Sequence, residues 1–192
     1  MKLLEEKIIL DGEIRSGNVV KVDSFLNHRV EPRFLEKLGI HLAKYFSRKN
    51  PSLVLTLEAS GIALAYETAR ALELPLVFAK KAASLNLDHD TYTAEVYSYT
   101  RQDYYNIKVS KKYISSDDKV LIVDDFLARG SACNGLIKIC EAAGAEVVGL
   151  GIAVEKYFQG GGKALREAGY DLESLAIIES MSGNGEIRFI GD

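Results

Sequence analysis

The chain reads as an α/β protein, with a central, mostly parallel β-sheet flanked by helices, and three observations predict this. Apolar runs recur at Leu53–Leu57, Val120–Val123 and Val147–Val154 without polar alternation, as strands buried on both faces do. Segments with helical spacing accompany them at 62–72 and 132–143. Small-residue turns follow two of the runs, Glu58-Ala-Ser-Gly61 and the stretch from Asp124 to Ala132. That is the sheet edge where open α/β folds carry ligands. Strands alternating with helices imply right-handed crossovers and a parallel sheet.

Taken in order, residues 1–10 place acids inside an apolar pattern, which predicts an amphipathic helix rather than a signal peptide. Leu53–Leu57 is a strand running into its turn, and 62–72 is the helix that follows. Pro75 opens a second strand, Leu76–Ala79. From Ala82 to Ile107 the pattern turns polar and Tyr-rich with weak alternation, including Tyr92, Tyr97 and Tyr99. This predicts a β-hairpin or mobile flap projecting from the sheet. Val120–Val123 is a buried strand that stops at Asp124 and Asp125, and helix 132–143 ends at Gly144 as a C-cap. Val147–Val154 is the longest apolar stretch and is far too short to span a bilayer. Residues 1–30 and 155–192 lie outside the alternating core of 31–154, and we expect them to pack as a smaller lobe over the strand ends. No repeat or linker divides the 192 residues, so one domain is expected.

Composition narrows the class. Apolar content of 47% and charged content of 27% are ordinary for a globular protein. A net charge of −3 with dispersed Lys and Arg argues against nucleic acid as a partner. Cys133 and Cys140 sit seven apart on one expected helix, about 10 Å along its axis. They cannot pair there, no Cys/His zinc spacing exists, and a cytosolic location is expected. His28, His41 and His89 are too scattered for a metal site.

The chemistry concentrates in Val120 to Ala132, Val-Leu-Ile-Val-Asp-Asp-Phe-Leu-Ala-Arg-Gly-Ser-Ala. Gly130 lets the backbone curl so that successive N–H groups face one point at a helix N-terminus, a cradle for phosphate. Two carboxylates beside it repel an anion unless a cation or sugar hydroxyls lie between. The pattern asks for a phosphorylated sugar with Mg²⁺. The plain alternative is a solvated Asp-Asp turn with an ordinary loop glycine. Strand, acid pair, turn and helix in order within thirteen residues favour the functional reading. The run is neither a Walker A loop nor a Gly-x-Gly-x-x-Gly fingerprint.

The same run resembles the phosphoribosyl-diphosphate (PRPP) motif of the type I phosphoribosyltransferases. Five further blocks are similar to the xanthine-using branch of the bacterial members: 22–28 (Val-Asp-Ser-Phe-Leu-Asn-His), 58–62 (Glu-Ala-Ser-Gly-Ile), 78–81 (Phe-Ala-Lys-Lys), 93–98 (Thr-Ala-Glu-Val-Tyr-Ser) and 154–159 (Val-Glu-Lys-Tyr-Phe-Gln). The resemblance implies the type I fold, with a hood from about 1–30 and 155–192 and a flexible hairpin flap near 82–106. It implies transfer of the 5-phosphoribosyl group from PRPP to N9 of xanthine, giving XMP and pyrophosphate. Mg²⁺ as cofactor, a cytoplasmic location and a homodimer come with it.

It also implies roles. Asp124 and Asp125 sit under the ribose as catalytic acids, and Mg²⁺ comes with the substrate, with either acid a possible ligand. Ala128, Arg129, Gly130, Ser131 and Ala132 hold the 5′-phosphate. Ser60, Gly61 and one of Lys80 and Lys81, for which Lys81 is taken, meet pyrophosphate, although Ser60 also suits a plain helix cap. Val20, Asn27 and Lys156 receive the purine. Lys156, a donor-only group, suits a 6-oxo oxygen, and Asn27, donor and acceptor, suits the two- and three-position edge. Tyr157 or Phe158 either stacks on the base or belongs to the core.

The chain departs from the pattern in places. Arg129 and Ser131 stand where the xanthine-using members carry Asn and Gln; Arg129 either adds a charge-assisted contact or points to solvent. Val20 replaces Leu. Ala128 stands where hypoxanthine-guanine members have Asp, so the usual proton acceptor is missing. Glu95, Asp88, Asp90, a water or no base at all remain open. Alternatives for function are an enzyme preferring guanine, hypoxanthine or adenine, or a non-catalytic PRPP-sensing regulator. Lys156 and the lack of Arg in 58–61 speak against adenine, and a first thirty residues that are neither basic nor helix-turn-helix speak against the regulator.

Overall fold

The computed structural model describes residues 1–15, 19–81, 90–99, 102–182 and 186–191. Helix α1 (Lys2–Asp11) leads into a ribbon of β1 (Glu13–Arg15) and β2 (Val19–Lys21), then a single wide helical turn at Asp23–Asn27. There follow α2 (Pro32–Phe46), β3 (Leu53–Leu57), α3 (Ile62–Leu72) and β4 (Leu76–Lys81). A hairpin of β5 (Thr91–Ser98) and β6 (Asp103–Ser110) comes next, then β7 (Lys119–Leu127), α4 (Ser131–Ala143), β8 (Glu146–Lys156), α5 (Gly161–Glu167), β9 (Leu172–Met181) and β10 (Ile187–Phe189).

Eight strands form one sheet in the order β10-β9-β8-β7-β3-β4-β6-β5. The five central ones run parallel, and antiparallel strands close both edges. Every residue of β3 is buried, which is why its sequence shows no alternation. Along β7 successive side chains enter opposite layers. Leu121 and Val123 join α1, α2 and α3 on one face, while Val120 and Ile122 join α4 and the hairpin on the other. Helix α3 spans the expected residues, and Gly144 ends α4 with φ +73, its N–H reaching Cys140 O and Glu141 O. Among the described residues no helix is long and apolar enough to cross a membrane.

Three expectations change. Strand β7 does not stop at the acids. It carries Asp124, Phe126 and Leu127 into register with β8, because the sheet continues past its apolar core. Residues 155–192 do not all lie outside the alternating core, since β9 pairs parallel with β8 from Leu150↔Leu172 to Lys156↔Ile178. The hairpin is rooted rather than merely projecting: β6 pairs with β4 at Lys80↔Lys108, and Ala94, Val96, Ile107 and Val109 are buried against α4. Residues 82–89, 100 and 101 of the expected flap fall outside the described residues. Helix α2 is an element beyond the expected ones, although Pro32 at its first turn and Leu35, Leu38, Leu42 and Phe46 on its buried side carry the usual signals.

Helices α2 and α3 meet at Gly39, where an added Cβ would lie 2.6 Å from the carbonyl carbon of Glu67. Glycine to alanine in a free helix gains up to about 1 kcal/mol of propensity. Overpacking of backbone against backbone outweighs that gain. Gly39→Ala should therefore destabilise by about 1–3 kcal/mol, read as a lower urea midpoint at unchanged slope. A stabilised variant would show that the helices have room to part.

Candidate active site

Parallel strands deliver their C-terminal ends to one edge, and there the singled-out residues gather. Asp124 and Asp125 are each only 5% exposed. Asp125 is held from two distant segments. Asn27 Nδ2 donates to its Oδ2 at 2.7 Å, and Ser60 Oγ donates to its Oδ1 at 3.0 Å. Asp124 Oδ1 accepts the backbone N–H of Asp125 at 2.9 Å. Burial is the first cause that holds the Asp124 carboxyl well above the ordinary carboxylate range, and the neighbouring Asp125 is the second. Lys81 acts in the opposite direction.

The turn after β3 fits closely around this pair. A Cβ on Gly61 would run into Thr56 Oγ1 and would lie 2.5 Å from Asp124 Oδ1. The buried Thr56 hydroxyl has no hydrogen-bond partner among the described residues. The cap alternative for Ser60 is corrected: Gly61 is the N-cap of α3, no side chain caps that helix, and the Ser60 hydroxyl goes to Asp125. Of the two lysines, Lys81 is the one whose charge acts on Asp124. Its N–H donates to Glu58 Oε1 at 2.6 Å and its ammonium lies 5.6 Å from the Tyr105 ring centre.

Gly130 takes φ +85 as the N-cap of α4, a region open to glycine at little cost. Helix α4 therefore starts at Ser131 with its first N–H groups turned toward the loop, the arrangement that binds anions. Residues 126–133 and the hairpin residues Val96–Tyr99 and Tyr105 enclose a cleft of about 230 Å³. Arg129 is exposed. Its guanidinium lies 4.7 Å from the ring centre of Tyr99, a cation–π contact between loop and hairpin. Tyr99 in turn packs edge-on against Tyr97 at 4.8 Å.

Lys156 ends β8 with its ammonium 5.6 Å from the Phe126 ring centre, and partial burial lowers its pKa. Val20 is buried on β2 in the layer that includes Val22, Phe25 and Leu26. Tyr157 and Phe158 form the turn after β8, are partly exposed, and are not part of the buried core. Asp90 is exposed and ion-paired with Lys111 at 2.7 Å, and Glu95 is exposed on β5 between buried Ala94 and Val96. Asp88 and His89 lie outside the described residues. Cys133 and Cys140 are buried free thiols, and burial pushes Cys140 up to about 12. No group of three or more His, Cys, Asp or Glu among the described residues could hold a metal ion.

Sequence reasoning missed Thr56, Glu58 as acceptor for Lys81, and Tyr99 as partner of Arg129. Nothing in a single chain marks them, because each acts through a residue remote in sequence or through space left by a glycine.

A family model described as phosphoribosyl transferase domain matches residues 31–183. The xanthine phosphoribosyltransferase of Bifidobacterium animalis subsp. lactis is 53% identical over 191 residues, covering 98% of this chain and 99% of that one. The protein of the same name from Bifidobacterium longum is also 53% identical, with the same coverage. Among solved structures, adenine phosphoribosyltransferase from Thermoanaerobacter pseudethanolicus superposes with a TM-score of 0.74 at 23% identity, covering 91% of this chain and 98% of that one. At that identity it speaks for the fold alone.

Asp124 binds its proton more tightly folded than unfolded. Its contribution to stability is therefore fully present below the ordinary value of 3.8 and is lost as pH rises through the raised folded value. Asp124→Asn removes that loss. Without ligand, the variant should melt higher than the parent at pH 8, with the gap closing as pH falls toward 4. Thermal scans across pH measure it, and a variant that melts lower at pH 8 contradicts the assignment of charge stress to Asp124.

Proposed function

This chain belongs to the phosphoribosyl transferase family, and on that premise we propose that it transfers the 5-phosphoribosyl group from PRPP to N9 of xanthine, giving XMP and pyrophosphate in purine salvage. The observation that carries the reading is the junction at Asp125. Asn27, assigned to the base, and Ser60, assigned to pyrophosphate, both donate to the carboxylate assigned to the ribose. The residues assigned to three substrate regions thus meet at one buried group. Identity of 53% over nearly the whole length to relatives named for xanthine supports the choice of base.

In this reading the protein works by positioning and electrostatics. Asp124 and Asp125 accept hydrogen bonds from the ribose hydroxyls and face the positive charge that develops on the sugar. Backbone N–H groups of residues 128–132 hold the 5′-phosphate. Ser60, Gly61 and Lys81 hold pyrophosphate at the opposite end, so the reacting carbon is fixed from both sides. Lys156 donates to the 6-oxo oxygen. Asn27 uses one N–H on Asp125 and presents its oxygen to the base edge. Val20 contributes apolar surface beneath the purine.

Mg²⁺ belongs to the same proposal. The acid pair suits it as a partial ligand set, because Mg²⁺ usually takes one or two carboxylates and completes its shell with substrate oxygens and water. When bound with pyrophosphate it supplies neutralising charge to the leaving group. A hood from about 1–30 with 155–192, less β9, over a core of about 31–154, a hairpin that closes over the site, a homodimer and a cytoplasmic location complete the proposal.

Initial rates with Mg²⁺, PRPP and each purine in turn test it. Xanthine should lead, guanine and hypoxanthine should follow more weakly, and adenine should be essentially inactive. A polar site left without its partner rejects an analogue by about 10⁴-fold. Lys156→Gln, which offers an acceptor as well as a donor, should cut xanthine use and narrow the adenine gap. Asp124→Asn should lower kcat by about 10²-fold or more. A parent enzyme that prefers adenine would overturn the reading.

A further inference from the structure

The phosphate loop rests on a second piece of chain that the reading above does not use. Behind Ala128–Gly130 lies the turn Gly160-Gly161-Gly162, where α5 begins. The Gly161 N–H donates to Ala128 O at 3.1 Å. A Cβ on Gly161 would lie 2.5 Å from Ala128 O, 2.6 Å from the carbonyl carbon of Arg129 and 2.7 Å from the Gly130 nitrogen. All three are loop backbone, which cannot swing aside as a side-chain tip does. The loop and the start of α5 are therefore in backbone-to-backbone contact across the two peptide bonds assigned to the 5′-phosphate.

What keeps α5 in place is a buried charge. Glu155 is 0% exposed. It receives Arg166 Nη1 on Oε1 at 2.8 Å, Arg166 Nη2 on Oε2 at 2.8 Å, and Ser174 Oγ on Oε2 at 2.6 Å. A fork of two parallel N–H bonds fixes direction as well as distance. Gly162 leaves the space that this pair fills, since a Cβ there would run into Glu155 Oε1. Glu155 also stands opposite Leu127 in the β7–β8 register, one residue before the loop, and directly precedes Lys156. One buried carboxylate on β8 thus ties the helix that backs the loop to β9, while its own backbone lies beside the strand that feeds the loop.

We propose that Gly161, held by the Glu155–Arg166–Ser174 cluster, is a positioning residue that sets the phosphate loop at the height PRPP requires. The inference rests on the functional reading only for the identity of the ligand. The packing of Gly161 on the loop stands without it. Arg166 is 35% exposed and Glu155 is not, so the pair anchors α5 from inside the fold, and loss of Arg166 leaves a buried carboxylate without its ion-pair partner.

The test is Gly161→Ala, with Lys163→Ala on the exposed side of the same helix as control. Three readouts are needed: amide hydrogen exchange of residues 128–132 without ligand, PRPP affinity by calorimetry with Mg²⁺, and the split between KM and kcat. In Gly161→Ala the loop amides should exchange faster, and the PRPP Kd and KM should both rise about tenfold or more, since a misplacement of about 1 Å costs as much as 10²-fold. The kcat at saturating PRPP should change far less, and Lys163→Ala should match the parent in all three. A merely structural defect would lower the melting temperature and the active fraction and leave KM alone. Should Gly161→Ala not fold, Glu155→Gln carries the test. It keeps the shape, removes the charge, and should raise the PRPP KM several-fold. A folded variant of either kind with parental loop exchange and parental PRPP affinity overturns the proposal. Faster loop exchange in Gly161→Ala, with no PRPP binding by the parent, would instead sink the functional reading and leave the positioning role standing.

Discussion

Asp125 is the point on which the site depends. Its carboxylate sits at the end of a central strand, nearly out of water, and a charge in that place must be answered by donors. The donors come from residues 98 and 65 positions away in sequence. Satisfying one group therefore draws the turn before α2 and the turn after β3 to the same edge of the sheet. The site forms because a single buried charge has partners only when the whole fold is closed.

Asp124 shows the opposite condition. It accepts one backbone N–H, lies beside a second carboxylate, and feels the charge of Lys81. The protein carries this stress in a position where a ligand with hydroxyls and a cation would relieve it. Stability given up at a site where charge is needed is a common arrangement in enzymes. The unpartnered Thr56 hydroxyl and the bare Gly61 belong to the same crowded corner. Glu155, by contrast, is a buried carboxylate with every partner in place, and it acts as scaffold rather than chemistry.

The contact of Arg129 with Tyr99 joins the loop after β7 to the hairpin. Base β5 and β6 residues are buried against α4, whereas Tyr99 and Tyr104 are exposed. Among the described residues the hairpin is thus anchored at its foot and held at Tyr99 by the stacking contact with Arg129, with the cleft between the two. Such a contact on partly exposed side chains is worth about 0.5–1 kcal/mol, weak enough to be exchanged for a ligand.

The sequence by itself determined whatever depends on neighbours along the chain. Unbroken apolar runs marked β3, β7 and β8 because a strand buried on both faces has no polar side to show. Gly130 and Gly144 marked a helix start and stop because their φ values of +85 and +73 suit glycine. The acid pair followed by small residues marked the ligand edge. Tertiary structure alone decided the rest. That β9 joins the sheet, that Ser60 serves Asp125 rather than its own helix, that Arg129 stacks on Tyr99, and that Gly161 backs the loop after β7 are all contacts between segments far apart in the chain. Periodicity and short motifs report local backbone geometry. They hold no record of which distant donor will meet a buried acceptor, because that choice is made only when packing removes water from both.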